Sequence, residues 1–157
     1  PITKMTTYGP IVGRVDAAGI ERYFGIRTAA SAGGANRWRA PQPPASWSSP
    51  LQTVVEKHCL QQKGGTEDCL SVDVLTVTGL TGMAVFCYIH GGGFALQDPP
   101  YYKVTGGYYQ KGGVPSLPNS GRSVSVFFHY RLGGLGFMAH PGLSAETMYG
   151  GSGNYGM

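Results

Sequence analysis

The chain has 157 residues, one domain's worth of polypeptide or a piece of a larger one, with 41% apolar and only 13% charged residues. Its net charge of +4 comes from Lys and Arg scattered without a stripe or block, which speaks for solubility and against nucleic-acid binding. No apolar run reaches the ~18 residues of a membrane-spanning helix, and the 26 glycines cluster in turns without a collagen-like period.

Pro1 opens the chain with no signal-like apolar stretch, which suits a processed N-terminus and an incomplete chain equally. Residues 9–26, "GPIVGRVDAAGIERYFGI", predict two short strands around a turn at Asp16–Gly19. Residues 31–50 are rich in Pro, Ser, Gly and Trp and read as irregular, with "PQPP" forbidding helix. Cys59 and Cys69 flank the short polar loop "LQQKGGTED", which suits a disulfide in an oxidising compartment. No N-x-[ST] sequon supports secretion independently.

Residues 69–77, "CLSVDVLTV", alternate and are β-branched, so they predict a strand. Residues 83–90, "MAVFCYIH", and 123–130, "SVSVFFHY", are nearly continuous apolar runs, the pattern of strands buried on both faces of a mostly parallel sheet. Cys87 lies inside the first of them and is read as a buried free thiol. Between them, residues 101–121 form a long aromatic and glycine-rich excursion, and residues 142–157 read as a loop. No amphipathic helix of ten or more residues is visible to cover these strands. A parallel sheet needs helices on both faces and partners on both edges, so the chain reads as about a third of a fold, not stable alone.

Six segments in order then carry a resemblance. They are "GRV…YFGIRTAA", "NRWRAPQPPASW", "EDCLSVDVL", "YIHGGGFALQ", "FHYRLGGLGFM" and "SGNYGM". They resemble the N-terminal portion of the type-B carboxylesterase and cholinesterase family, on the α/β-hydrolase fold. The family's matching segments are F-x-G-I-P-Y-A after an early strand pair, R-F-x-x-P-x-P…W, E-D-C-L-x-L-N-V, the oxyanion loop, N-Y-R-L-G-x-x-G-F-L, and G-N-x-G-L before a helix. The implied fold class is α/β: antiparallel N-terminal strands leading into the parallel sheet, residues 1–157 being the N-terminal segment of one hydrolase domain.

In acyl transfer, an alkoxide-like oxygen develops when a nucleophile adds to an ester carbonyl. Preorganised backbone N–H groups aimed at it contribute about 3–4 kcal/mol each. Side chains larger than hydrogen would hold the substrate away and forbid the backbone angles needed. The resemblance implies that Gly92 and Gly93 are two such donors, that Gly91 permits the turn, and that a third donor follows the catalytic serine. It also implies a Cys59–Cys69 disulfide and a structural Arg37–Glu67 salt bridge. His90 belongs to the glycine loop as a structural residue. His129 stands where the family has Asn, and His58 and His140 have no matching role; all three read as surface or satisfied polar residues. Tyr101, Tyr102, Tyr108 and Tyr109 are open between lining a gorge and packing their own loop.

A serine hydrolase needs a nucleophile, a base and an orienting acid. No G-x-S-x-G occurs in the chain; "GGSGN" around Ser152 lacks the second glycine, and no strand leads into it. The resemblance places all three groups downstream of "SGNYGM". The expectation is therefore a two-chain carboxylesterase-like hydrolase of the secretory pathway. This chain would supply the oxyanion hole, and a C-terminal partner chain the Ser, Glu or Asp, and His. The alternatives are an esterase fold repurposed for non-hydrolytic chemistry on a carbonyl or enolate, an inactive binding module, and a truncated product without activity. An intact "HGGGF" favours chemistry. The substrate would be a small-molecule ester or other carbonyl compound. Choline esters are disfavoured, because cholinesterases bind their cation through a tryptophan in the loop that here is "LQQKGGTED". Arg27 at the family's proline and His129 at its Asn both warn against ordinary carboxylesterase behaviour. No metal-ligand spacing, phosphate loop or dinucleotide fingerprint is present, so no metal and no cofactor is expected.

Overall fold

A computed structural model of the chain describes residues 1–17, 19–55, 57–97 and 123–156. Within them, one sheet is built from β1 (Ile2–Met5), β2 (Pro10–Val15), β3 (Ile20–Arg27), β4 (Leu51–Gln52), β5 (Ser71–Val77), β6 (Ala84–Ile89) and β7 (Ser123–His129). The order across the sheet is β1-β2-β3-β5-β7-β6, with β4 beside β2. Neighbours are antiparallel from β1 through to β7, and the last step, β7 to β6, is parallel. This is the α/β sheet fragment expected, with antiparallel strands entering a parallel region. Two helices of five residues each, α1 (Gly133–Phe137) and α2 (Pro141–Ala145), follow β7.

Local chemistry fixes the elements that matter for the site. The β2–β3 turn closes because Asp16 Oδ1 accepts from the Ile20 N–H at 3.0 Å, while Arg22 holds the other carboxylate oxygen at 2.6 Å. In β3 the register with β5 shifts between Tyr23 and Ile26, where Gly25 takes a φ of +70°. That bulge turns the Gly25 N–H away from the ladder and onto the buried carboxylate of Asp73, at 2.7 Å. A side chain at Gly25 would press on the Val55 carbonyl at 2.8 Å. The core gathers Ile20, Leu75 and Phe127 under β3, β5 and β7, with Phe24, Val77 and Tyr88 packed around them. Burying a side chain of this size contributes about 1.5–3 kcal/mol.

β1 and β4 are absent from the sequence reading. β1 is mostly exposed and β4 is two residues long, so neither shows the alternation that marks a half-buried strand. Cys87 corrects an expectation: it is exposed, not buried. β6 is the last strand of the sheet among the described residues, and Val85 (61% exposed), Cys87 and Ile89 (57%) face outward together. The apolar run has the composition of a strand covered on both sides, but among the described residues this face of β6 has no cover.

Arg27 has a clear partner. It forks onto Asp68 with both distances at 2.8 Å, and Lys57 reaches the same carboxylate at 2.8 Å. Burial pushes the Asp68 carboxyl up, but hydrogen bonds from Lys57 and Arg27, and their charge, outweigh it and hold it below the usual carboxylate range. A depressed folded-state value means stabilisation that is present above the ordinary carboxylate pKa and lost as pH falls through the folded value. Asp68→Asn should therefore lower the urea midpoint of the complete protein at pH 7 and leave it unchanged at about pH 2. An equal loss at both pH values would contradict this.

Candidate functional site

β6 ends at Ile89 and the chain enters a tight turn built on glycine. The His90 ring stacks on Tyr130 with 4.3 Å between centroids, and its Nδ1–H donates to the Gly91 carbonyl at 2.7 Å. The Tyr130 hydroxyl in turn donates to the His90 carbonyl at 2.7 Å. Burial raises the Tyr130 pKa, so that hydroxyl stays a donor. The N–H groups of Ala95 and Leu96 both fold back onto the Gly92 carbonyl at 3.1 Å. Closing the turn this way puts Gly92 at φ +116°, Gly93 at +60° and Phe94 at +60°. A Cβ on Gly92 would overlap the Leu96 carbonyl, so no other residue fits there. Gly91 has open space around its Cβ direction and no left-handed φ, so the reversal itself falls on Gly92 and Gly93.

Phe94 is the non-glycine residue that accepts the left-handed backbone in this turn, and its surroundings hold it there. Its carbonyl accepts from Gly133 at 2.7 Å, and its ring lies 4.8 Å from that of Phe137 in α1. The loop is thus braced against the segment that follows β7. The consequence for chemistry is specific: among the described residues, neither the Gly92 nor the Gly93 N–H donates a hydrogen bond, and both glycines are exposed. Unused backbone donors held in a rigid turn can bind a developing negative charge.

Cys59 and Cys69 are joined by a disulfide, buried against Tyr130 and Leu132. Arg37 Nε donates to Glu67 Oε2 at 2.7 Å, a second hydrogen bond completes the fork, and the guanidinium lies over the Trp38 ring at 5.6 Å. Hydrogen bonding to Arg37 holds the Glu67 carboxyl below its ordinary range. Both pairs tie loops around the sheet. Ser152 Oγ is engaged with the Ser144 hydroxyl at 2.8 Å and with the His140 backbone, which is a loop closure. Tyr101, Tyr102, Tyr108 and Tyr109 lie outside the described residues.

Two buried polar features stand near the turn. Of the two readings open for His129, surface or satisfied polar residue, the structure has the second: it is buried, with Nε2 3.0 Å from Asp73 Oδ2 and Nδ1 2.7 Å from Gln97 Nε2. The signal available is Asp73 on the same face of "SVDVL" as the buried Ser71 and Leu75, an ionisable group in a core position. Arg131 is buried, donates through Nε to the Tyr155 carbonyl at 2.8 Å, and leaves Nη1 and Nη2 without a partner among the described residues. Burial lowers its pKa. No group of three or more His, Cys, Asp or Glu among the described residues is placed to hold a metal ion, and no helix there is long and apolar enough to cross a membrane.

Residues 2–157 match the model of the carboxylesterase family. The chain is 35% identical over 152 residues to a fumonisin B1 esterase of Sphingopyxis macrogoltabida, covering 88% of this chain and 26% of that protein. It is 33% identical to esterase B1 of Culex pipiens, covering 87% of this chain and 26% of that one. A crystal structure of a Geobacillus stearothermophilus carboxylesterase superposes with a TM-score of 0.79 at 26% identity, covering 98% of this chain and 31% of that chain. The chain thus spans about a quarter of the length of the curated relatives it matches.

The Tyr130 hydroxyl is the strut between β7 and the start of the glycine turn. Tyr130→Phe leaves the His90 carbonyl without that donor and should destabilise the complete protein by about 1–3 kcal/mol in urea unfolding. A change below the error of the measurement would show that the strut contributes nothing.

Proposed function

Because this chain belongs to the carboxylesterase family, we propose that it supplies the oxyanion hole of a serine esterase acting on carboxylic esters. The observation that carries this is the pair of N–H groups on the exposed residues Gly92 and Gly93, just after β6, which donate no hydrogen bond among the described residues. A tetrahedral intermediate puts a full negative charge on the former carbonyl oxygen. Two backbone donors that are already oriented stabilise it without reorganising during the reaction. Since catalysis counts only what is stronger in the transition state, these donors act on kcat more than on KM.

The nucleophilic serine, its histidine base and the orienting acid come, in this reading, from a C-terminal chain of the same hydrolase fold. Two features support that arrangement. Among the described residues the outer edge of β6 has no strand partner, and Val85 and Ile89 are exposed on its face, which suits a further strand beside the oxyanion loop and an element covering that face. Arg131 leaves two buried nitrogens without a partner among the described residues, and an uncompensated buried charge costs several kcal/mol, so a carboxylate arriving with the completing polypeptide would satisfy it. The Cys59–Cys69 disulfide supports assembly in the secretory pathway.

The test uses the complete enzyme and a p-nitrophenyl ester. Gly92→Ala should lower kcat about 10²–10³-fold with little change in KM. Mass spectrometry after fluorophosphonate treatment should find the label on a serine outside these 157 residues. Absence of label, or an unchanged kcat in the Gly92→Ala enzyme, would move the reading to an esterase fold used for non-hydrolytic chemistry or for binding.

A further inference from the structure

Resting on the esterase reading, we propose that Asp73 and His129 are positioning residues for the oxyanion loop, acting on it through Gln97. Asp73 stands at the Asn of the E-D-C-L-x-L-N-V signature and His129 at the Asn of N-Y-R, so two amide positions are both replaced by ionisable side chains. The two strands that carry them, β5 and β7, are hydrogen-bonded neighbours. Their side chains are 0% and 1% exposed, and Asp73 Oδ1 already accepts the Gly25 N–H at 2.7 Å. The two side chains meet each other: His129 Nε2 lies 3.0 Å from Asp73 Oδ2, off the axis of a straight hydrogen bond.

That distance assigns the imidazole proton. A bare nitrogen lone pair 3.0 Å from a carboxylate would be repelled, so Nε2 carries the hydrogen. Nδ1 is then free to accept from Gln97 Nε2, at 2.7 Å. Gln97 is gripped a second time by its own backbone, whose N–H donates to Gln61 Oε1 at 2.9 Å. It directly follows Leu96, whose carbonyl occupies the space next to Gly92 and whose N–H closes the turn. A continuous set of contacts therefore runs from the carboxylate of Asp73 to the backbone that presents the oxyanion donors.

Three side chains face the His129 ring. Asp73 approaches from β5, and His58 approaches edge-on from the loop before Cys59, with 6.0 Å between ring centroids; Gln97 is neutral. If the Gln97 amide parts from the ring, or turns to offer Oε1, which is buried without a hydrogen-bond partner among the described residues, the movement reaches Leu96 and the glycine turn through one covalent step. The alignment of the donors is thereby tied to the His129–Gln97 contact.

The complete enzyme tests this in four forms: wild type, Asp73→Asn, His129→Asn, and the double variant that restores both amides. With p-nitrophenyl acetate, each single change should lower kcat about tenfold and leave KM within about twofold, because a small misplacement of donors acts on the chemical step. The double variant should return to within about threefold of wild type, since the two side chains act on the loop as one unit. A double variant no better than the worse single, or an effect confined to KM, would overturn the proposal. A second readout needs no turnover. Imidazole ¹⁵N spectra should show His129 with a protonated Nε2 and a bare Nδ1, and the Gly92 and Gly93 amide resonances should shift in the Asp73→Asn protein. A protonated Nδ1 at neutral pH, or glycine resonances that stay put, would overturn it as well. If wild type hydrolyses no ester while both signatures appear, the esterase reading falls and the positioning role stands.

Discussion

The Gly92 carbonyl accepts two backbone N–H groups, from Ala95 and Leu96, and that single closure dictates the chemistry of the loop. It draws the Leu96 carbonyl into the space a Cβ on Gly92 would need, so position 92 can only be glycine. It drives Gly92, Gly93 and Phe94 into left-handed backbone, which points successive N–H groups out of the turn instead of into a ladder. Phe94 bears a conformational cost that its contacts with Gly133 and Phe137 offset. The rigidity of the turn and its unused donors are thus two results of one backbone geometry.

The rest of the structure reads as support for that turn. β6 delivers it at the open edge of the sheet, paired on its inner side with β7 alone among the described residues. Tyr130, at the end of β7, both stacks on His90 and hydrogen-bonds its carbonyl. The Cys59–Cys69 disulfide sits against Tyr130, so the covalent staple stiffens the same corner. On the other side of the loop, Gln97 is fixed between Gln61 and His129. Anchors on both flanks let the middle of the turn remain unbonded without losing its shape.

Much of this is legible in the sequence, and the exceptions are instructive. Ordered motifs locate the antiparallel entry strands, the parallel pair and the glycine turn, because each motif records a backbone need that few residues satisfy. Cys87 misleads because an apolar run states what a strand requires, not whether its cover is present among these residues. β1 and β4 are invisible because they are held by pairing partners, not by their own pattern. His129 stays open between a surface and a satisfied polar residue because a histidine met alone shows no partner; the partner is Asp73, far upstream in sequence and one strand away. Arg27 shows the same effect: a departure from the family pattern whose partners, Asp68 and through it Lys57, only folding brings together.

The central claim is that Gly92 and Gly93 cradle the oxygen of an acyl-transfer intermediate whose nucleophile lies outside these residues. A crystal structure of the complete enzyme inactivated by a phosphonate ester addresses it directly, since the adduct mimics the tetrahedral intermediate. The expected result is a phosphonyl oxygen about 2.7–3.1 Å from both the Gly92 and Gly93 nitrogens, on a phosphorus bonded to a serine beyond residue 157. A phosphonyl oxygen bound by other donors, with the two glycine N–H groups facing solvent, would contradict it.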